Sequence, residues 1–313
     1  MYQPLPVHPA RPDAQNVEAW AGHAWATGAA DLSDDFDVER QRFDAARDSK
    51  HGVRARLFRP LRGGRNLNYP QKASAGKHPT LTFSSDGRST YSKTLENVQL
   101  SDLLHAHPLR DFSRRRGQSN KPVAVHTETT ADLVPCESRL ERQLVLLADF
   151  DRRVAHIAAQ PFTLEIPAGG TFSRHTPDFV MLGRGRVPLA VDVKTPSAAE
   201  DPKAQARHED VRAVLAQAGI AHVVWTGIPD VLSNNLALFS KSRVGQDTQA
   251  RYEPTLLRAA REPKPVAELV AGIAGNGLQA SEGLVVVRRL IWLQKILVDL
   301  NSAYSPRSMV VSA

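Results

Sequence analysis

RHTPDFVMLGRGRVPLAVDVK, residues 174–194, reads as a β-hairpin: RHTPDFVML is one strand, GRGR the turn and PLAVDVK the partner strand. Side chains alternate between the two faces of a strand, so Val191 and Val193 point one way and Asp192 and Lys194 the other. The valines anchor the strand in a core. The charged pair projects near the strand's end, where ligands of open α/β sheets usually sit. Asp178 opens the neighbouring strand, and the hairpin brings it close to Asp192. Two carboxylates meeting beside one lysine repel each other unless a cation lies between them. With oxygen donors and no histidine or cysteine cluster, the expected ion is Mg2+, or Mn2+, rather than zinc. Such an ion can bind a scissile phosphate and acidify a water, while Lys194 orients that water or offsets charge on phosphorus. A D-x-K triplet alone is more often a surface salt bridge, so its weight comes from what surrounds it.

Upstream, PCESRLERQLVLLADF (135–150) carries Leu140, Leu144 and Leu147 at i, i+4 and i+7, one apolar stripe of a helix with Ser138 as its N-cap. Glu141 either reaches back to the Ser138 backbone as a capping-box residue or serves as a metal ligand. Glu137, one turn earlier on the same face, is its rival, and the residues alone leave both open. VAHIAAQPFTLEIP (154–167) reads as a strand pair, with Gln160 at the possible edge of the site. His175, beside the Pro177–Asp178 pair, is either a phosphate contact or a structural neighbour. After Lys194 comes a helix with a buried stripe of Val211, Val214, Leu215 and Ala218, ended by Gly219. IAHVVWT (220–226) follows as a buried strand, so strand, helix and strand make a parallel crossover. The expectation is an α/β core: a mixed sheet with flanking helices.

The remaining chain adds charge and a second unit. Of 313 residues, those from His51 to Lys121 hold fourteen Lys/Arg against four Asp/Glu, a surplus of +10 where the whole chain is +7. A basic, Gly- and Ser-rich stretch beside a carboxylate-bearing core suits a polyanion. Within it, Arg114, Arg115 and Arg116 are candidate DNA-backbone contacts, the alternative being a solvated loop. Ser33 starts a short helix holding Phe36, Arg40 and Phe43, and LENVQLSDLL (95–104) reads as another; otherwise residues 1–109 read as loop-rich and partly disordered. Residues 231–262 read as a linker, with a helix near Thr255–Ala260. Residues 263–313 show two helices followed by two short strands, the order of a small winged-helix-like domain; DNA contact and protein contact remain equally open for it. A single cysteine, Cys136, excludes an internal disulfide and a Cys-rich zinc site. No signal pattern and no apolar run of spanning length is visible, so the expectation is a cytoplasmic protein without a membrane partner.

A glutamate on a helix, then PD, then D-x-K followed by a helix and a strand resembles the PD-(D/E)XK restriction-endonuclease-like core. In detail, RRRGQSNKP, ESRLERQLVLLADFDRRVAHIAAQPF, RHTPDF and VDVK are similar to the TnsA-like endonuclease subunits of heteromeric transposases, most of all to actinobacterial members. The likeness covers residues 110–230 and, more loosely, the C-terminal segment, where LIWLQKILVDLN resembles that family's last helix and wing. It implies an enzyme that cuts the 5′ strand at transposon ends by phosphodiester hydrolysis. It implies Glu141, Asp178 and Asp192 as metal ligands, with Lys194 as the fourth catalytic residue. It implies transposon-end DNA, a DDE-type transposase and an AAA+ ATPase regulator as partners. The alternatives are a stand-alone nuclease of restriction or repair type and a non-catalytic DNA-binding or scaffold subunit.

Overall fold

The computed structural model describes residues 33–48, 78–87, 89–109, 122–167, 172–183 and 187–313. The chain is mixed α/β and divides into two compact units after Gly227. Among the described residues no helix is long and apolar enough to cross a membrane. Arg114, Arg115 and Arg116 lie outside the described residues, as does most of the basic stretch.

The first unit opens with α1 (Ser33–Asp48), which buries Phe36 and Phe43. Then come β1 (Thr80–Phe83), β2 (Tyr91–Thr94), a 3-10 turn over Leu95–Asn97, and α2 (Leu100–Leu104). The β1–β2 hairpin corrects the expectation of loop. Leu81 and Phe83 are wholly buried, and Phe83 packs on Phe162 and Tyr91 with ring centroids 5.8 and 5.7 Å away. Strands of four residues offer only two inward positions each, too few for alternation to stand out.

The central elements are β3 (Val123–Thr127), β4 (Asp132–Cys136), α3 (Arg139–Phe150), β5 (His156–Ala159), β6 (Phe162–Glu165), β7 (Arg174–His175), β8 (Phe179–Leu182) and β9 (Leu189–Val193). A short helix α4 (Pro196–Ala199) precedes the crossover helix α5 (Pro202–Ala216), and β10 (Ala221–Trp225) closes the unit. One sheet has the order β10-β9-β8-β5: β9 and β10 run parallel, β8 antiparallel to both β9 and β5. The parallel crossover is therefore as expected. Helix α5 is capped by Asp201, whose carboxylate accepts from Lys203 N–H at 2.7 Å, and it ends before Gly219 at φ +67°. Its Val211 and Leu215 share one buried cluster with Val180, Leu182 and Ala190. Each of these valines and leucines contributes roughly 1.5–3 kcal/mol on burial.

A second sheet, β2-β1-β6-β7, is antiparallel throughout. Two expectations are corrected here. β5 and β6 do not pair with each other, because the chain leaves one sheet and enters the other at Gln160–Pro161. Residues 174–182 are not one strand either: β7 pairs with β6, and β8 pairs with β5 and β9. Proline accounts for both breaks, since Pro161 and Pro177 have no N–H to give a ladder. The two crossing points touch: Gln160 N–H donates to the Asp178 carbonyl at 2.9 Å, and the hydroxyls of Thr163 and Thr176 are 2.7 Å apart.

The second unit contains α6 (Asp230–Phe239), α7 (Gln246–Ala259), β11 (Lys264–Pro265), α8 (Val266–Gly272), α9 (Ala280–Trp292), β12 (Ile296–Val298) and β13 (Met309–Ser312). Its sheet has the order β11-β13-β12, antiparallel. Where a linker was expected stand α6 and α7. Leu232, Leu236 and Phe239 form the buried stripe of α6, and Tyr252 and Leu256 that of α7. Polar residues between these positions and Pro254 inside α7 conceal both stripes in the sequence.

Candidate active site

Asp178 enters the site because Pro177 ends one strand pairing and Phe179 begins another. Phe179 pairs with Val191, so Asp178 comes opposite Asp192 in the hairpin. Its Oδ2 accepts from Val193 N–H at 2.7 Å, which turns the carboxylate toward the end of β9. Lys194 extends the parallel ladder by donating its N–H to Trp225 C=O at 3.0 Å. Its Nζ stands 3.6 Å from Asp178 Oδ2 and donates to Val193 C=O at 3.2 Å. The lysine side chain is 35% exposed and the aspartate 13%, so the pair lies at an opening rather than in the core.

Glu141 approaches from the first turn of α3. It caps the helix, though not by the expected bond to the Ser138 backbone: Oε2 accepts from Glu137 N–H at 2.7 Å and Oε1 from the Ser138 hydroxyl at 3.0 Å, while Glu141 N–H donates to Ser138 Oγ at 3.0 Å. The cap does not exclude the other role. Glu141 is 7% exposed, and burial, then the Asp178 carboxylate, push its carboxyl up to about 7 against the hydrogen bonds it accepts. Glu137 also raises it, through its own nearby carboxylate, but Glu137 is only half-buried. The Glu141 charge feels that of Asp178.

Gln160 lies beside this group through its bond to the Asp178 carbonyl. It has φ +44°, a left-handed conformation that costs a non-glycine residue of order 1 kcal/mol or more. Its side-chain amide is buried and makes no hydrogen bond at either atom.

Asp192 has other surroundings. It is 1% exposed, and three imidazole nitrogens approach its Oδ2: His222 Nε2 at 2.7 Å, His175 Nε2 at 2.9 Å and His208 Nδ1 at 3.2 Å. Burial alone would raise this carboxyl; the three imidazoles outweigh it and hold it well below the usual carboxylate range. His222 is lowered, chiefly by burial. The expectation of oxygen donors without a histidine cluster is therefore corrected at Asp192. His175, for which a phosphate contact and a structural role were both open, is 6% exposed and faces Asp192.

His208 and His222 are absent from the sequence-level site. His208 sits one turn before Val211 on the buried stripe of α5, and His222 alternates into the core of β10. They converge with His175 only through the crossover, so no short spacing announces them. No family model and no curated protein matches the chain.

Proposed function

We propose that the chain is a DNA endonuclease, acting as the nuclease subunit of a heteromeric transposase and cutting the 5′ strand at transposon ends. One observation carries this reading. Lys194 Nζ stands 3.6 Å from Asp178 Oδ2, and the buried Glu141 carboxyl is raised to about 7 partly by the Asp178 carboxylate. Two carboxylates in that relation fit a hard divalent cation, and Mg2+ is the ion whose donor preference they meet. When bound there, the ion supplies Lewis acidity to a phosphodiester. Glu141 and Asp178 would hold it. Lys194 brings a positive charge beside Asp178, able to orient a water and to offset charge developing on the phosphate oxygens. Asp192, engaged by histidines, is left out of this set.

From α7 on, the second unit supports the transposase reading through its order of elements: helix, strand, two helices, then two antiparallel strands, as in a winged helix. A non-catalytic scaffold is the second reading, favoured by the engagement of both Glu141 oxygens in the helix cap.

Asp178→Ala separates the two. Magnesium-dependent cleavage of a transposon-end duplex, measured with the DDE-type partner present, is expected to fall at least 100-fold while DNA affinity stays within about twofold; the loss of a transition-state charge contact has this size. Cleavage at the wild-type rate in this variant would remove Asp178 from the chemistry.

A further inference from the structure

We propose that His175, Asp192 and His222, with His208 as a fourth donor, form a buried site for a borderline first-row dication of the zinc type. It is separate from the Glu141–Asp178–Lys194 group and does not depend on the nuclease reading.

The donors come from four elements: His175 from β7 in the second sheet, Asp192 from β9 and His222 from β10 in the first, and His208 from the crossover helix α5. The ligand atoms of His175, Asp192 and His222 lie within 4.8 Å of one another. Zinc binds imidazole nitrogen and carboxylate oxygen at about 2.0–2.2 Å, so neighbouring ligands of a tetrahedral site stand roughly 3.3 Å apart. The three nitrogens lie 2.7, 2.9 and 3.2 Å from Oδ2, which a small outward relaxation converts to that spacing.

Hydrogen bonding accounts for only part of this arrangement. His222 Nε2 bonds to Oδ2. His175 Nε2 and His208 Nδ1 are within reach of the same oxygen, yet both are buried without a hydrogen bond. Imidazole nitrogens left so in a core are unfavourable. A cation beside Oδ2 would take up all three lone pairs, and imidazole with one carboxylate suits zinc or cobalt rather than magnesium. The rings of His208 and His222 stack nearly parallel at 5.6 Å, with His175 edge-on to both at 5.9 and 6.0 Å, so His175 approaches in a plane crossing that of the stacked pair. One neighbour must yield: Arg207 Nη2 is 3.5 Å from His175 Nδ1, and that nitrogen must carry the proton when Nε2 binds a metal. Because these donors join both sheets to α5, the ion would act as a structural staple beneath the strand that presents Lys194.

Cobalt(II) titrated into the full, metal-stripped chain tests this. The expected result is the intense visible absorption of tetrahedral cobalt, saturating at a single equivalent and displaced by zinc, with zinc raising the melting temperature. His175→Gln and His222→Gln together should abolish both effects. Asp178→Asn should leave both unchanged, which keeps this test apart from the nuclease reading. A folded wild-type chain with neither a cobalt band nor a zinc-induced thermal shift would overturn the proposal. So would a band retained by the double variant or lost in Asp178→Asn. Because the wild-type chain decides the first outcome, a double variant that fails to fold does not protect the idea.

Discussion

At the scale of single residues, Glu141 carries the most physical information. Its carboxyl stands near 7 against an ordinary 4.5. Between these values the folded chain binds more protons than the unfolded one, so its stability falls as pH rises through that window and levels off above it. The full difference corresponds to up to roughly 3 kcal/mol. Glu141→Gln removes the charge and keeps a cap acceptor, with the Ser138 hydroxyl free to turn. In metal-free buffer at pH 8 the variant should be more stable than wild type by about 1–3 kcal/mol, with a flatter pH dependence. Urea unfolding at pH 5 and pH 8 checks this, and equal stabilities at pH 8 would mean the carboxylate is not strained. Glu141 and its rival Glu137 could not be separated in the sequence, because a capping box and a metal ligand use the same residue type at the same place. The nearness of Lys194 to Asp178 was legible from the hairpin and the strand end. The surroundings of Asp192 were not: His175, His208 and His222 are far apart in the chain, and only the crossover assembles them.

At the scale of elements, the site owes its position to two strands that change sheets at proline. The parallel β9–α5–β10 crossover was readable, since Val211 and Leu215 on the helix and the apolar strands around it are strongly patterned. The division of residues 174–182 into β7 and β8 was not, although Pro177 was visible, because either half could continue the alternation. The β1–β2 hairpin was hidden by its shortness. Its share in the core is large: Phe83 is wholly buried against Phe162. Phe83→Ala should cost about 3–5 kcal/mol in thermal or urea unfolding of the first unit. A cost below about 1 kcal/mol would return this stretch to the surface loop it first resembles.

At the scale of the whole molecule, the two units differ in how openly their sequences speak. In the second, α8, α9, β12 and β13 follow readable apolar patterns, whereas α6 and α7 alternate buried residues with enough polar ones to pass for a linker. The surplus of positive charge belongs to residues 51–121, and it concerns how the molecule as a whole would meet DNA. Neutralising Arg114, Arg115 and Arg116 together should weaken DNA binding and reduce the slope of log affinity against log salt by about 3, since each lost phosphate contact releases one counterion fewer. An unchanged slope would make the run a solvated loop.

A nuclease of the proposed kind that cut freely would damage its host chromosome. The isolated protein should therefore cut poorly. In the proposed function a DDE-type partner would supply recognition and hold the scissile phosphate against Glu141, Asp178 and Lys194, an orientation effect worth several orders of magnitude in rate. The most direct measurement maps the 5′ ends released from a transposon-end substrate in Mg2+, with and without that partner. The account predicts a nick at the 5′ side of each end that requires the partner; efficient, site-specific cutting by the protein alone, or no cutting in the complete mixture, would contradict it.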